Sequence, residues 1–369
     1  MSKSAESDNL IHECLKEKAE TLKSANKASI DKKVAVSAVR DLIVVEELDK
    51  TLSKVFSKGW CSPPKYSGKR KHAPYKRIVN SILSDLHFGS HLDPAECPLE
   101  YGVVQESRRL GKVAQEVADY KEQYRDETKL IIHLIGDCMQ GQLHDLRDGE
   151  PLALQFAAAT HYLTQYIMLL CGCYPSVEIY TNPGNHGRNL QRHPERAVHQ
   201  KFDSIENMMY YAVKKAVLNS GVKNCQFNIP KTPYYIAPLF NNKLFGTHGD
   251  TVLKPGYPGK SINMASLAQQ IYKWNAAGDI GGPFRVFAVG HLHIAGMTEL
   301  PGKVTMITNG ALVPSDAYSL SIGSPDLTCG QWIFESVEKH PVGDRRFIEV
   351  NGAENDSNYN SIITPFEGF

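Results

Sequence analysis

No stretch of this 369-residue chain approaches the roughly 20 consecutive apolar residues that a membrane-spanning helix needs. The longest apolar run, over 166–173, is far too short. The opening residues, MSKSAESDNL, have no apolar centre of the kind that marks a secretory leader. No membrane partner is expected, and the cytoplasm is the expected location. Cysteine lacks pattern rather than number: eight residues, at 14, 61, 97, 138, 171, 173, 225 and 329, form no C-x2-C pair. Neither a zinc knuckle nor a disulfide framework is expected, and the C-x-C of Cys171 and Cys173 is read as inert thiols. With 42% hydrophobic and 22% charged residues, most of the chain has the composition of a folded globule.

Acid is missing from one region. Between residues 50 and 80 there are nine Lys and Arg and no Asp or Glu. The net charge of +1 hides this split, since residues 1–80 carry 17 basic against 10 acidic side chains. Such an asymmetry points to an anionic partner for the N-terminal part. In KYSGKRKHAPYKR, the basic residues Lys65, Lys69, Arg70, Lys71, Lys76 and Arg77 are interleaved with Tyr66 and Tyr75. They are candidates for neutralising phosphates while the tyrosines stack on bases. A solvated linker is the competing reading. Upstream, helices are predicted over 10–27 and 34–56. A docking or homo-oligomerising helical pair is the simpler account; a helix-turn-helix reader of DNA is the other. The expected organisation is a helical appendage (1–60), a basic linker (61–77) and a main domain (78–369).

Within the main domain, short apolar strands are predicted over 78–83, 130–135, 177–180, 234–238, 243–245, 285–289, 304–307, 332–337 and 346–350. Helices are predicted over 99–124, 151–171, 194–220 and 262–277. The recurrent event is a strand that ends in Asp, Asn or His. Asp85 and His87 follow the first strand, then come Gly136-Asp137, Gly184-Asn185-His186, Thr247-His248 and Gly290-His291-Leu292-His293, at intervals of 43 to 63 residues. In layered α/β folds, ligand sites lie beyond the carboxyl ends of the strands, so the five clusters are expected to meet at one edge. Asp85 and His87 are expected to reach one point as alternate residues of an extended chain.

In type and order these residues resemble the calcineurin-like metallophosphoesterase superfamily, whose pattern is D-x-H, G-D-x-x-D, G-N-H-D/E, a lone His and G-H-x-H. The likeness spans about residues 78–310, and in motif set it is nearest the double-strand-break-repair exonuclease branch. The resemblance implies an α/β fold, a four-layer α-β-β-α sandwich, with two divalent cations. It implies that Asp85, His87, Asp137 and His293 hold one metal. Asp137 would bridge to a second, held also by Asn185, His248 and His291. Mixed carboxylate and imidazole donors suit Mn²⁺ first, with Fe²⁺ and Zn²⁺ close behind and Mg²⁺ less favoured. His186 would be the catalytic general acid.

Two positions depart from the pattern. Gln140 stands where the second Asp of G-D-x-x-D is usual, and is expected to orient the catalytic His by hydrogen bonding. Gly187 replaces the acid after G-N-H. Arg188, His144 and Arg147 are candidate substrate contacts, the last two on a loop that reads equally as plain surface. The leading expectation is a phosphodiesterase acting on DNA, exonuclease-like, through metal-activated hydroxide. A small-nucleotide phosphodiesterase or phosphatase is the alternative. A protein phosphatase or a metal-stabilised binding scaffold fits less well. From about residue 316 the chain is expected either to cap the site or to close the second sheet.

Overall fold

The structure, a computed structural model, describes residues 75–95, 97, 100–143, 149–187, 201–253, 264–277, 282–315 and 328–367. The chain divides into two units, 1–53 and 54–369, and every described residue belongs to the second. The predicted N-terminal helices lie outside the described residues, as do Lys65, Lys69, Arg70 and Lys71.

The first sheet grows around β1 (Arg77–Leu83), in which every residue after Arg77 is buried. A strand covered on both faces needs such an unbroken run, with no polar alternation. β2 (Thr128–Leu134) and β3 (Val177–Thr181) have the same character and pair in parallel with their neighbours. β4 (Cys225–Asn228) extends the sheet beyond β3. On the other side of β1, β10 (Gly330–Ser336) pairs antiparallel, followed by β11 (Arg345–Glu349). The order is β11-β10-β1-β2-β3-β4. The second sheet contains β5 (Tyr235–Leu239), β6 (Asn242–Thr247), β7 (Val286–Val289), β8 (Gly296–Leu300) and β9 (Val304–Thr308), in the order β5-β6-β7-β9-β8.

The two sheets face each other across a shared core, with Ile78, Ile82, Ile131 and Ile135 against Ala237, Leu244, Val286 and Ile307. Each such Ile, Leu or Val contributes about 1.5–3 kcal/mol by its burial. A small polar group interrupts this layer. His133, on β2, meets the Tyr235 hydroxyl through Nδ1 and Asn80 Oδ1 through Nε2, each at 3.0 Å.

α1 (Val103–Asp119), α2 (Leu152–Cys173) and α3 (Ile205–Asn219) cover the first sheet, and the Tyr166 hydroxyl of α2 meets Ser81 Oγ of β1 at 2.8 Å. α4 (Met264–Ala277) covers the second through Leu267 and Ile271, packed with Phe245, Phe284 and Phe287. This is the expected α-β-β-α sandwich. Among the described residues no helix is long and apolar enough to cross a membrane.

Three expectations need correction. The C-terminal strands join the first sheet, not the second: β10 seals the open edge of β1 and buries Ile333 and Phe334. The helix predicted over 99–124 is shorter, because Lys121 turns left-handed (φ 55°) and a 3-10 turn, Glu122–Glu127, follows. The described part of the helix predicted over 194–220 starts at Ile205, where Ser204 Oγ caps it by accepting from Asn207 N–H at 3.1 Å.

Candidate metal centre

The chain leaves β1, β2, β3, β6 and β7 at one edge of the sandwich and enters the five polar clusters there. Pleat alternation is not what aims Asp85 and His87. Both are left-handed, at φ 53° and 49°, and so are Asp137 (52°), His291 (69°) and His293 (57°). A non-glycine residue held in this region costs about 1–3 kcal/mol and persists only where its surroundings over-determine it. Those surroundings are backbone bonds running past the strand ends. Asp85, His87 and Phe88 N–H donate to Gly136, Asp137 and Cys138 carbonyls, each at 3.0 Å. His291 N–H lies 3.0 and 3.1 Å from the two Asp85 carboxylate oxygens. Gly184 is required by close approach, since a Cβ there would overlap the Asp137 carboxylate.

The side chains gather in two adjoining groups. Asp85, His87 and His293 present donor atoms within 4.8 Å of one another, and Asp137, His248 and His291 do the same. His248 Nε2 lies 2.9 Å from both Asp137 Oδ2 and Asn185 Oδ1, which places Asn185 in the second group. His186 reaches both groups: with His87 and Asp137 it forms a third set within the same 4.8 Å. The donor set of carboxylates and imidazoles fits the binding of divalent metal. All seven ligand-type residues of the sequence reading, and His186, are thereby brought together.

Hydrogen bonds fix which imidazole nitrogen faces inward. Gln140 Oε1 accepts from Ser90 Oγ at 2.9 Å and from His87 Nδ1 at 2.8 Å, so the His87 Nε2 lone pair is turned to the site. His248 Nδ1 donates to Ile135 O at 2.9 Å, which turns its Nε2 toward the Asp137 and Asn185 oxygens. His186 Nδ1 donates to Gln140 O at 2.6 Å. The expected role of Gln140 therefore changes. Its side chain holds His87, while its backbone carbonyl orients His186.

Charge is organised to match. Burial pushes His87 down to about 3 and His291 down to about 4, so both rings are neutral and able to donate lone pairs. Burial opposes a charge on His248, but the Asp137 carboxylate outweighs it and holds the group up to about 9. Burial likewise works against the Asp85 and Asp137 carboxylates. The His293 bond keeps Asp85 below the usual range, and His248 and His186 keep Asp137 well below it.

Several supporting residues carry no motif. Glu106, in the first turn of α1, accepts from Gly89 N–H at 2.7 Å. Gln155, in the first turn of α2, accepts from Gly141 N–H at 2.6 Å and donates to Gly141 O at 3.1 Å. Glu206, in the first turn of α3, accepts from Cys138 and Gly184 N–H at 2.7 and 2.6 Å. Each of the three helices on the first sheet thus drives one buried polar side chain into the loops that carry the clustered residues. Behind Asp85, Asn309 Nδ2 donates to Ser84 Oγ at 3.0 Å and to Gln331 Oε1 at 2.8 Å, tying the two sheets together at the site edge. Buried polar residues following an apolar helix start are the one signal that could have found the helix-borne set.

The remaining candidates separate. His144, Arg147 and Arg188 lie outside the described residues. Lys76 pairs with Glu127 at 3.0 Å and stays 70% exposed. Arg77 pairs with Glu335 and stacks over Tyr124, 4.1 Å from the ring centre.

No protein-family model matches the chain, and no curated protein sequence matches it. Solved structures do. One is a conserved uncharacterised protein, a predicted phosphoesterase, from Streptococcus pneumoniae, with 11% identity, a TM-score of 0.29, and coverage of 74% of this chain and 98% of that one. Another is Yfce, a phosphoesterase from E. coli, with 15% identity, a TM-score of 0.32, and coverage of 73% and 99%. A third is Vacuolar Protein Sorting 29 from Cryptosporidium parvum, with 13% identity, a TM-score of 0.33, and coverage of 71% and 86%. At these scores the likenesses are distant.

Proposed function

We propose that the chain is a dinuclear-metal-dependent phosphoesterase, and that phosphodiesters are its substrates. One observation carries this reading: two donor groups, Asp85/His87/His293 and Asp137/His248/His291, adjoin at a strand edge with His186 in reach of both. When bound, a pair of divalent cations supplies Lewis acidity toward the phosphoryl group and activates water for in-line displacement. The protein's own work is to hold and to move protons. Asp137, between the groups, keeps them in register through Oδ1, which accepts from His186 N–H at 2.8 Å, and Oδ2, which meets His248. The Gln140 carbonyl holds a proton on His186 Nδ1, so in the doubly protonated ring Nε2 is the atom that gives its proton to the departing oxygen, leaving the neutral Nδ1–H tautomer.

DNA is the proposed substrate, and the support is compositional. The nine basic residues of 50–80, free of any acid, run in sequence into the start of β1, the strand whose other end is followed by Asp85 and His87. A second reading, a small-nucleotide phosphodiesterase or phosphatase, is favoured by one specific observation: Lys76 and Arg77 are already engaged by Glu127 and Glu335. A guanidinium paired with a carboxylate has little charge left for a phosphate. Mn²⁺-dependent turnover of single- and double-stranded DNA, measured beside a bis-aryl phosphate and cyclic nucleotides, separates the two. Hydrolysis of the small esters with no DNA cleavage would select the second.

A further inference from the structure

Glu206 is fully buried and lies between two of the ligand-bearing loops. Oε1 accepts from Cys138 N–H at 2.7 Å and from the Tyr210 hydroxyl at 3.0 Å, and Oε2 accepts from Gly184 N–H at 2.6 Å. Cys138 follows Asp137, and Gly184 precedes Asn185 and His186. A single carboxylate therefore sets the spacing between Asp137 and the amide and imidazole that face it. All three partners are donors, so an acceptor-only carboxylate satisfies them and an amide does not.

The position of Gly187 belongs to the same arrangement. A Cβ built there would stand 2.5 Å from Glu206 Cβ and 3.3 Å from its Oε2. Ile205 N–H, beside Glu206, donates to Gly187 O at 3.0 Å. The space that an acidic side chain at 187 would enter is filled by Glu206, from another element and about twenty residues further along the chain.

We infer that Glu206 is a positioning residue of the metal centre, which fixes Asp137 against Asn185 and His186 and supplies from α3 the buried carboxylate that residue 187 lacks. The inference rests on the phosphoesterase reading above. Two divalent cations against the carboxylates of Asp85 and Asp137 leave a net positive site, and a third carboxylate touching the ligand loops lowers the cost of loading it. Partners of this kind, one step behind the ligands, are worth about 10- to 100-fold in metal affinity or activity.

Glu206→Gln keeps the shape and removes the charge. In the full-length variant, calorimetry should show one of two Mn²⁺ equivalents binding about 10- to 100-fold more weakly than in the wild type. Hydrogen exchange of the Cys138 and Gly184 amides should accelerate in the metal-free protein. Glu206→Asp, which keeps the charge but retracts it by one methylene, should fall between, and it serves if the Gln variant does not fold. Wild-type affinities in both variants would overturn the inference. So would faster amide exchange with both affinities intact, because Glu206 would then act in packing alone. A wild-type chain that binds no Mn²⁺ would overturn the phosphoesterase reading itself, whereas an effect missing only in the variants sinks the inference and spares that reading.

Discussion

At the scale of single residues, the site separates groups that hold from groups that react. His186 is bonded through its own backbone N–H to Asp137 and through Nδ1 to the Gln140 carbonyl, so its ring stays in place without any metal. Replacing it by Ala should leave two Mn²⁺ equivalents bound by calorimetry and lower turnover of alkyl phosphodiesters by about 10²–10⁴-fold. An activated aryl diester, whose leaving oxygen needs no proton, should lose far less; equal loss on both substrates would argue against the acid role. Gln140 makes the complementary case. Gln140→Ala removes the acceptor of both His87 Nδ1 and Ser90 Oγ, leaving buried donors unpaired at a cost of about 1–3 kcal/mol. Mn²⁺ affinity should fall with stability, and a melting and titration pair showing neither change would remove Gln140 from the support of His87.

At the scale of elements, what could be read in advance followed from burial. The central strands β1, β2, β3, β6 and β7 are legible because two-sided burial demands continuous apolar runs, and their polar ends mark the site. β4 and β8 were not predicted. Both are sheet edges, and the half-exposed CQFN and GMTEL carry too few buried positions to show a pattern. Glu106, Gln155 and Glu206 escaped for another reason: each looks like an ordinary helix-start residue, and its partner lies 14 to 68 residues away. Left-handed backbone at Asp85 and His87 has no local signature either, being imposed by the neighbouring loop.

One element-level consequence can be measured. Burial between the sheets pushes His133 from its ordinary 6.5 down to about 3. Below pH 6.5 the unfolded chain takes up a proton that the folded chain refuses. Stability contributed by the neutral ring is therefore complete above 6.5 and is lost as pH falls toward 3, by up to about 1.4 kcal/mol per pH unit. Denaturant titrations of His133→Gln across this window should show a pH slope shallower by one proton. An unchanged slope would mean that the ring is already protonated in the folded state.

At the scale of the whole molecule, the charge asymmetry is the feature on which the proposed DNA partner rests. If the basic segment grips DNA, replacing Lys65, Lys69, Arg70 and Lys71 together by Gln should reduce the slope of log affinity against log salt by about three, from roughly 0.7–0.9 per phosphate contact. Fluorescence anisotropy over a salt series reads this directly, and an identical slope would assign the segment to another task. The catalytic claim stands apart from that outcome, because it depends only on the strand-edge groups. Its most direct test is a titration of chelator-stripped protein with Mn²⁺, following hydrolysis of a bis-aryl phosphate against metal bound. Activity should rise with the second equivalent and vanish in His248→Ala, which deletes a donor of the Asp137 group. Two bound equivalents with no hydrolysis, or full activity in His248→Ala, would contradict the account.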